Sequence, residues 1–525
     1  MLNAAFLLEM PARYYPAKTA IIDPDVSITY AELDRYARQV AHGLQRHGLK
    51  ENAHIGLIAP TSRHFVAAYF GILKAGMVAV PINTRLRVQQ FADLLAFADV
   101  EACLIVECAG APPAASDALE GAMQVQDCRA IWVHAPAMPG NGDARVQPWS
   151  ALLEDCPDEV ETVLRGADDI ALLNYTSGTT ARPRAAQVTH ASDLMFAPSF
   201  QQPWGITEND TIAGAIGLFT GYGRVAWLNP GLYCGATLVF WPTFDPPRII
   251  EAMQKANGTG LHGVPAMFHA VRQGHRDGQY DLTSLRPHWR HILYGGAPMR
   301  RDLRAFYGEE MGVATVQGYG LTECNAIAQS PPDARPAAGM GDPLRPVWGH
   351  DVRVVDEHRN EAEIGEVIVR GPGLMTGYYK NPEETNRVLH GQWLHTGDQA
   401  RRLPSGDFEL LGRRCDTINR GGFMVYPAEL EMLLLEHPAV DAAAVKGVPD
   451  DRLGEEVVAY IVPSSGAQVS QEQLREWLKD RLASFQCPRH FVFMDAFPLG
   501  PTGKVEKHAL PALESDALPA DESKR

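Results

Sequence analysis

The order of apolar runs along this 525-residue chain predicts an α/β protein with a large N-terminal region of parallel α/β sheets, a small β-rich subdomain and a small α+β domain at the C-terminus. Three observations carry the prediction. Strand-like and helix-like runs alternate as βαβ from His54 onward. From Asp351 the pattern shortens to alternating strands split by turn residues such as Gly371-Pro372-Gly373. After Gly412 it changes again, to a compact unit of about 100 residues.

Glu32 to Leu49 spaces Leu33, Ala37, Val40, Ala41 and Leu44 on one helical face. His54 to Ile58 reads as a strand, His64 to Ala75 as a helix and Met77 to Ile82 as a strand, which implies a largely parallel sheet. The alternation returns with a strand at Ile170 to Asn174, a helix after Thr189, a strand at Thr237 to Trp241 and a helix at Pro246 to Ala256. Strands at Gly260 to Val264 and His291 to Tyr294 follow. The β-rich stretch holds Val352 to Val355 and Glu366 to Arg370. The last unit reads as a helix at Pro427 to His437, strands at Val440 to Val445 and Val457 to Ile461, and a helix at Gln471 to Leu482. The tail after Ala512 is polar and expected to fray.

With 46% hydrophobic and 21% charged residues, the composition is that of a globular protein too long for one core. A net charge of −16 argues against wholesale binding to nucleic acid or anionic membranes, so any anion site must be local. The eight cysteines show no Cys-x-x-Cys or Cys/His ligand spacing and read as reduced thiols. The N-terminus lacks a basic segment before its apolar residues, and the most apolar stretch, Phe65 to Pro81, is broken by Lys74 and Gly76. No integral membrane segment and a cytoplasmic location are expected. A homodimer stays open.

The richest chemistry lies in YTSGTTARPRAAQVTH, Tyr175 to His190, which gathers five Ser/Thr hydroxyls, one glycine and two arginines after a buried strand. Hydroxyls and backbone N–H groups in a tight turn can wrap phosphate oxygens, and a guanidinium offers planar, charge-assisted bonds to them. Clusters of this composition are commonly simple turns. A Walker loop is excluded, since no Gly-Lys-Ser/Thr follows, and Gly503-Lys504 near the C-terminus is followed by Val505. Five further segments change the weighing. YGGAP, Tyr294 to Pro298, ends a strand in paired glycines against which a flat ring can lie. QGYGLTE, Gln317 to Glu323, sets a ring between glycines and offers Thr322 and Glu323 as hard oxygen ligands. WLHTGD, Trp393 to Asp398, ends in a carboxylate able to accept both ribose hydroxyls, and Gly412-Arg413 follows. Gly421-Gly422 precedes VYPAELE, and GPTGKV places Lys504 in a glycine-bearing turn.

In this order the six segments resemble the AMP-forming adenylate superfamily, which includes acyl- and aryl-CoA synthetases, peptide-synthetase adenylation domains and firefly-type luciferases. The resemblance runs from about Thr29 to about Leu510. It implies that the substrates are ATP, a small-molecule carboxylic acid and CoA, with Mg²⁺ as cofactor. It further implies that Thr176, Ser177, Gly178, Thr179, Thr180 and Arg184 handle the β- and γ-phosphates. Gly295, Gly296, Ala297 and Pro298, with Gln317, Gly318, Tyr319 and Gly320, would hold adenine, Tyr319 stacking on it. Thr322 would contact the α-phosphate, Glu323 would bind Mg²⁺, and Asp398 and Arg413 would hold the ribose. Lys504 would reach the acyl carboxylate and the α-phosphate. The catalytic set is therefore Lys504, Arg184, Thr322 and Glu323. The resemblance divides the chain into an N-terminal domain over 1–412, a hinge at 413–416, a mobile C-terminal domain over 417–512 and a tail over 513–525. Rotation about Cys415 would swing Lys504 out and bring Gly421 and Gly422 to the pantetheine tunnel.

The chain departs from the family pattern at several points. Ala181 and Ala185 replace glycines and Arg184 replaces a lysine in the phosphate loop; an alanine forced to positive φ there would cost about 1 to 2 kcal/mol. Cys415 stands where the family has Asp or Lys, Thr220 where many relatives have histidine, and Gln486 where lysine is common. Phe196, Phe219, Tyr222 and Trp227 are expected to wall the acid pocket. Arg224 is expected on a helix surface, the alternative being a pocket residue that pairs with the second carboxylate of a diacid. The leading expectation is an AMP-forming acid:CoA ligase. The alternatives are a stand-alone enzyme that loads a carrier protein, distinguished by whether free CoA accepts the acyl group, and a degenerate nucleotide-binding paralogue, distinguished by absence of ATP/pyrophosphate exchange.

Overall fold

A computed structural model describes the chain apart from residues 25, 112–113, 137–141, 158–159, 177–182, 332–341, 451, 465, 499–504 and 512–525. Two large sheets form the bulk of the molecule. The first runs in the order Val146–Pro148, Ala130–His134, Val100–Val106, His54–Ile58, Val78–Pro81, Ile170–Tyr175, Ala185–Thr189. Its pairs are parallel except the last. The second has nine strands, with a parallel centre made of Thr237–Phe240, Thr211–Gly214, Gly260–Gly263, His291–Gly295 and Ala314–Leu321. Cys324–Gln329 returns antiparallel on its edge.

The crossover helices follow from local sequence. Thr29 and Glu32 form a reciprocal capping box at the start of helix Tyr30–Arg46, whose Leu33, Ala37, Val40 and Leu44 enter the core. Helix Arg63–Lys74 starts at the cap Ser62 and is buried all round, so it carries almost no polar face. Tight spacing selects glycine where backbones meet: a Cβ on Gly71 would lie 2.6 Å from Val40, so helices Tyr30–Arg46 and Arg63–Lys74 touch there.

Residues 351–413 form a five-stranded antiparallel sheet in which Trp393–Arg402 pairs with Ile364–Arg370, Leu389–His390 and Phe408–Arg413. One apolar cluster joins it to the nine-stranded sheet through Tyr319, Cys324, Val354, Val367 and Phe408. Beyond Arg413 a short turn leads to the last sheet, built on the long hairpin Val440–Asp450 and Gly454–Pro463, with helices Pro427–Leu435 and Gln471–Lys479 over its core. This unit touches the rest through Arg401, 3.1 Å from Glu429, and Arg301, 3.3 Å from Glu436. No helix among the described residues is long and apolar enough to cross a membrane.

The βαβ expectation holds for the large sheets, with one difference. The segment after Arg184 is a strand, Ala185–Thr189, folded back antiparallel on Ile170–Tyr175, before the helix begins at His190. The phosphate-loop sequence therefore caps a hairpin.

Candidate active site

Three segments converge on a polar cluster at the junction of the nine-stranded and five-stranded sheets. Asp398 and Arg413 are cross-strand partners, so their side chains share a face. The Arg413 Nε lies 3.0 Å from Asp398 Oδ1, and Arg413 Nη1 donates to the Thr396 carbonyl at 3.1 Å. Tyr319 donates its hydroxyl to Asp398 Oδ2 at 2.6 Å. Burial, and then the Asp398 charge, pushes the Tyr319 phenol well above its ordinary pKa, so it stays a donor. Its ring packs edge-on against Phe408.

Beside Tyr319, the strand ends of His291–Gly295 and Ala314–Leu321 pair Gly295 with Gly318. A Cβ on Gly295 would sit 3.0 Å from the Gly318 carbonyl and 3.2 Å from the Tyr222 ring, and Gly296 has φ +81°. These glycines leave a slot that side chains would fill. The scaffold behind it is polar and buried: Tyr294 donates to Asp342, which also pairs with Arg304. A Cβ on Gly320 would collide with the Asn325 carbonyl at 2.2 Å.

Thr322 and Glu323 form the turn between Ala314–Leu321 and Cys324–Gln329, both half-buried. Tyr378 donates its hydroxyl to Glu323 Oε1, and the Met375 N–H bonds the Glu323 carbonyl at 2.8 Å. The segment around Tyr378 also bridges Ala186, and Tyr379 N–H bonds the Ala185 carbonyl at 2.8 Å. One stretch of backbone thus ties the strand leaving the phosphate loop to the Glu323 turn.

On the phosphate side, Thr176 N–H bonds the Arg184 carbonyl at 2.9 Å and closes the base of the loop. Arg184 reaches Glu384 at 3.3 Å. Ser177, Gly178, Thr179, Thr180, Ala181 and Lys504 lie outside the described residues. Ala185 is a buried strand residue paired with Tyr175, and it is absent from the positive-φ positions. The strain expected of an alanine there does not arise.

Gly421 and Gly422, with φ +62° and +91°, form the hairpin turn between Ile418–Arg420 and Phe423–Val425. Its N–H groups bond the Leu453 carbonyl at 2.8 Å and the Asn419 side-chain oxygen at 2.9 Å. Cys415 is exposed in the turn after Arg413, its thiol 3.7 Å from Asp416 and pushed up in pKa by burial and then by that carboxylate.

The acid side corrects two expectations. Arg224 lies on no surface: it is fully buried, Nη1 donating to the Leu218 carbonyl at 2.9 Å and Nη2 to Asn174 Oδ1 at 3.2 Å. It sits 5.7 Å over the Tyr69 ring, whose hydroxyl donates to Asp193 at 2.6 Å. Phe196 and Trp227 are fully buried in the core, so of the four expected wall residues Phe219 and Tyr222 remain half-buried. Tyr222 is fixed by a 2.8 Å bond to the Gly263 carbonyl, and Thr220 spends its hydroxyl on Gly217 and Gly223.

Sequence reasoning missed Tyr378, Glu384 and Thr396. The first two sit in TGYYKNPEE, where a tyrosine and a glutamate six residues apart give no periodic signal; the third is hidden inside the WLHTGD segment already singled out for its Asp398.

The glycine slot, the Tyr319–Asp398–Arg413 cluster beside it and the Thr322-Glu323 turn fit an adenylate-forming enzyme. A family profile described as AMP-binding enzyme matches residues 8–379, and one described as AMP-binding enzyme C-terminal domain matches residues 429–504. The chain belongs to the AMP-binding enzyme family. Among its relatives, a feruloyl-CoA synthase from Amycolatopsis sp is 32% identical over 500 residues, covering 94% of this chain and 96% of that protein. The anthranilate CoA ligase AuaEII, solved with anthranoyl-AMP, superposes with a TM-score of 0.87 at 25% identity over 96% of this chain and 95% of that one. ATP-bound MatB from Rhodopseudomonas palustris gives 0.84 at 27% identity over 97% and 98%.

Proposed function

We propose that this AMP-forming acid:CoA ligase acts on compact, flat carboxylic acids and divides its work among the residues above as follows. The carboxylate oxygen attacks the α-phosphorus of ATP and pyrophosphate leaves; the CoA thiol then attacks the acyl carbon, loses its proton and displaces AMP. The buried Tyr319–Asp398 pair, with half-exposed Arg413 beside it, is the observation that carries the reading, because a largely desolvated carboxylate oriented by two donors is what recognition of a ribose diol needs. Gly295, Gly296, Ala297 and Pro298 with Gln317, Gly318 and Gly320 line the adenine slot. Thr176, Ser177, Gly178, Thr179, Thr180 and Arg184 hold the β- and γ-phosphates, and Thr322 the α-phosphate.

Glu323 and Thr322 offer hard oxygens suited to Mg²⁺, which takes few protein ligands alongside phosphate. Tyr378 fixes one Glu323 oxygen and orients the other. When bound, the ion would offset the repulsion between the acid and the triphosphate. Lys504 serves adenylation by neutralising the acyl carboxylate and α-phosphate. Residues 413–416 form the hinge between a domain over 1–412 and one over 417–512, and Gly421 and Gly422 line the CoA path after rotation.

The acid class follows from the pocket side. Phe219 and Tyr222 offer flat walls, and Tyr222 is locked in place. Arg224 is buried and engaged with backbone and Asn174, so it leaves no cation for a second carboxylate. Two similar proteins named for aromatic substrates, feruloyl-CoA synthase and anthranilate CoA ligase, agree with an aryl acid. The test is AMP release with ATP and free CoA across aryl, long-chain and dicarboxylic acids. CoA-dependent release strongest with aryl acids is expected. Preference for a dicarboxylate would overturn the acid assignment, and AMP release indifferent to CoA would move the acceptor to another thiol or amine.

A further inference from the structure

A cleft of about 470 Å³ opens beside Arg184, between helix Pro382–Val388, the turn at residues 356–359 and the strand carrying Thr396 and Gly397. Its size is that of about fifteen waters at about 30 Å³ each. Four guanidiniums from four separate segments border it: Arg184, Arg359, Arg387 and Arg414. Carboxylates match them in number, but the two that hold guanidiniums stand at the back. Glu384 lies between Arg184, at 3.3 Å, and Arg387, at 2.5 Å, with its side chain 19% exposed. Glu366 is 11% exposed and is spent on Gly397 N–H, His395 and Arg414. Asp356 is occupied by the N–H groups of its own turn, and Glu357 points to His358. The side chains of Arg387 and Arg414 are 69% and 65% exposed, and with exposed Arg359 they outnumber Glu357, the exposed carboxylate of the cleft at 86%, on the solvent side.

Each arginine carries five N–H donors and spends few of them here. Arg359 donates to His390 Nδ1 at 2.7 Å, which places the imidazole proton on Nε2 as a further donor. The His390 and His395 rings lie 4.5 Å apart. Donors in such excess, converging from several elements on a cleft too polar for an acyl chain, suit a compact anion with many oxygens.

We propose that this cleft is a second station for inorganic pyrophosphate, taken up after it leaves the phosphate loop. The inference rests on the adenylating reading, since adenylation is what releases pyrophosphate there. Arg184 belongs to both stations: it ends the phosphate-loop segment and borders the cleft, and Glu384 draws it toward the cleft side. Thr396 and Gly397 line the cleft and immediately precede Asp398, so the cleft adjoins the proposed ribose site. Holding the product there separates it from the adenylate and disfavours reversal.

The test titrates the full chain with magnesium pyrophosphate by calorimetry, with no acid present, and compares it with the double variant Arg359→Ala/Arg387→Ala and with Arg387→Glu alone. Wild type is expected to bind two equivalents. Each variant should lose one, or bind it at least about tenfold more weakly, as expected for lost charge-assisted bonds. The KM values for ATP and CoA should move by less than about twofold, well under the tenfold of a lost bond. An unchanged isotherm or a single wild-type site would overturn the proposal. A parallel rise in the ATP KM would assign the cleft to ATP itself, and a rise confined to CoA would assign it to the CoA diphosphate; either result also overturns it. The titration needs no turnover, so a chain that adenylates no acid yet loses one site in both variants would sink the ligase reading and leave the cleft standing.

Discussion

The base-and-ribose half of the site and its phosphate half are built differently. In the first, Tyr319, Asp398 and Arg413 are joined by bonds of 2.6 and 3.0 Å, and the slot is backed by the buried Tyr294–Asp342–Arg304 cluster. In the second, Arg184 is held by a partly exposed ion pair to Glu384. The Asp398–Arg413 pair is itself open on its arginine side, and such pairs contribute about 0 to 1 kcal/mol; the buried pair is Arg304–Asp342 behind the slot, and breaking a buried pair costs about 3 to 5 kcal/mol. The base slot is therefore backed by a buried scaffold before ATP arrives, whereas the Arg184 side chain has only a partly exposed pair to leave when phosphate binds. Preorganisation on one side and adaptability on the other suit a site that keeps AMP while it releases pyrophosphate.

Substitutions on the two sides should separate these roles. The largest effect is expected from Arg184→Ala, which should lower the adenylation rate by about 10²- to 10³-fold with AMP affinity unchanged. Arg184→Lys should recover most of it, since charge matters more there than bidentate geometry. Equal damage to AMP binding would merge the two halves. Asp398→Asn should cost about 10²-fold in AMP affinity by calorimetry, leaving Arg413 without its charged partner. A loss under about tenfold, the effect of one ordinary hydrogen bond, would mean that the nucleoside half is not prebuilt.

Tyr378→Phe should act between the halves, raising the Mg²⁺ concentration needed for half-maximal exchange by about tenfold, one charge-assisted bond's worth, while sparing AMP binding. An unchanged Mg²⁺ requirement would remove Tyr378 from its positioning role. The scaffold shared by both halves sets the acid limit. Burial holds His64 down at about 3, with His134 adding to it, and holds His190 and His291 at about 4, aided by Arg165 and Arg290. The unfolded chain then takes up protons that the folded chain refuses, so this stability is intact above pH 6.5 and is lost as pH falls toward 4. The loss is up to about 1.4 kcal/mol per pH unit for each histidine. Denaturant midpoints between pH 7 and 4.5 check the slope, and a flat profile would contradict it. The smallest effect is expected from Ala185→Gly, a loss of about 0.5 to 1 kcal/mol of stability without faster adenylation.

Much of the fold was legible because the two large sheets are fed by segments with strong periodicity. His54–Ile58 agrees residue for residue with the run read from sequence, and Pro246–Lys255 and Gln471–Lys479 begin where their patterns begin. What was hidden is long-range. The strand Ala185–Thr189 has too much alanine to declare itself and is fixed by pairing to Tyr175 and by Tyr379. Arg224 looked like a surface residue because its charge outweighed its neighbours Val225, Trp227 and Leu228, which place it in the core. The segments proposed to bind the nucleotide stood out in the sequence because glycines, a lone carboxylate and a lone arginine carry chemistry in short segments. Their supports were not, since Tyr378 and Glu384 act across contacts more than 50 and 190 residues apart in the chain.

Adenylation of a carboxylic acid is the step on which every role above depends. Exchange of labelled pyrophosphate into ATP measures that step without CoA. Acid-dependent exchange is expected, strongest with aryl carboxylates and suppressed by Asp398→Asn and by Arg184→Ala. No exchange with any acid, from an intact chain that binds AMP, would contradict it.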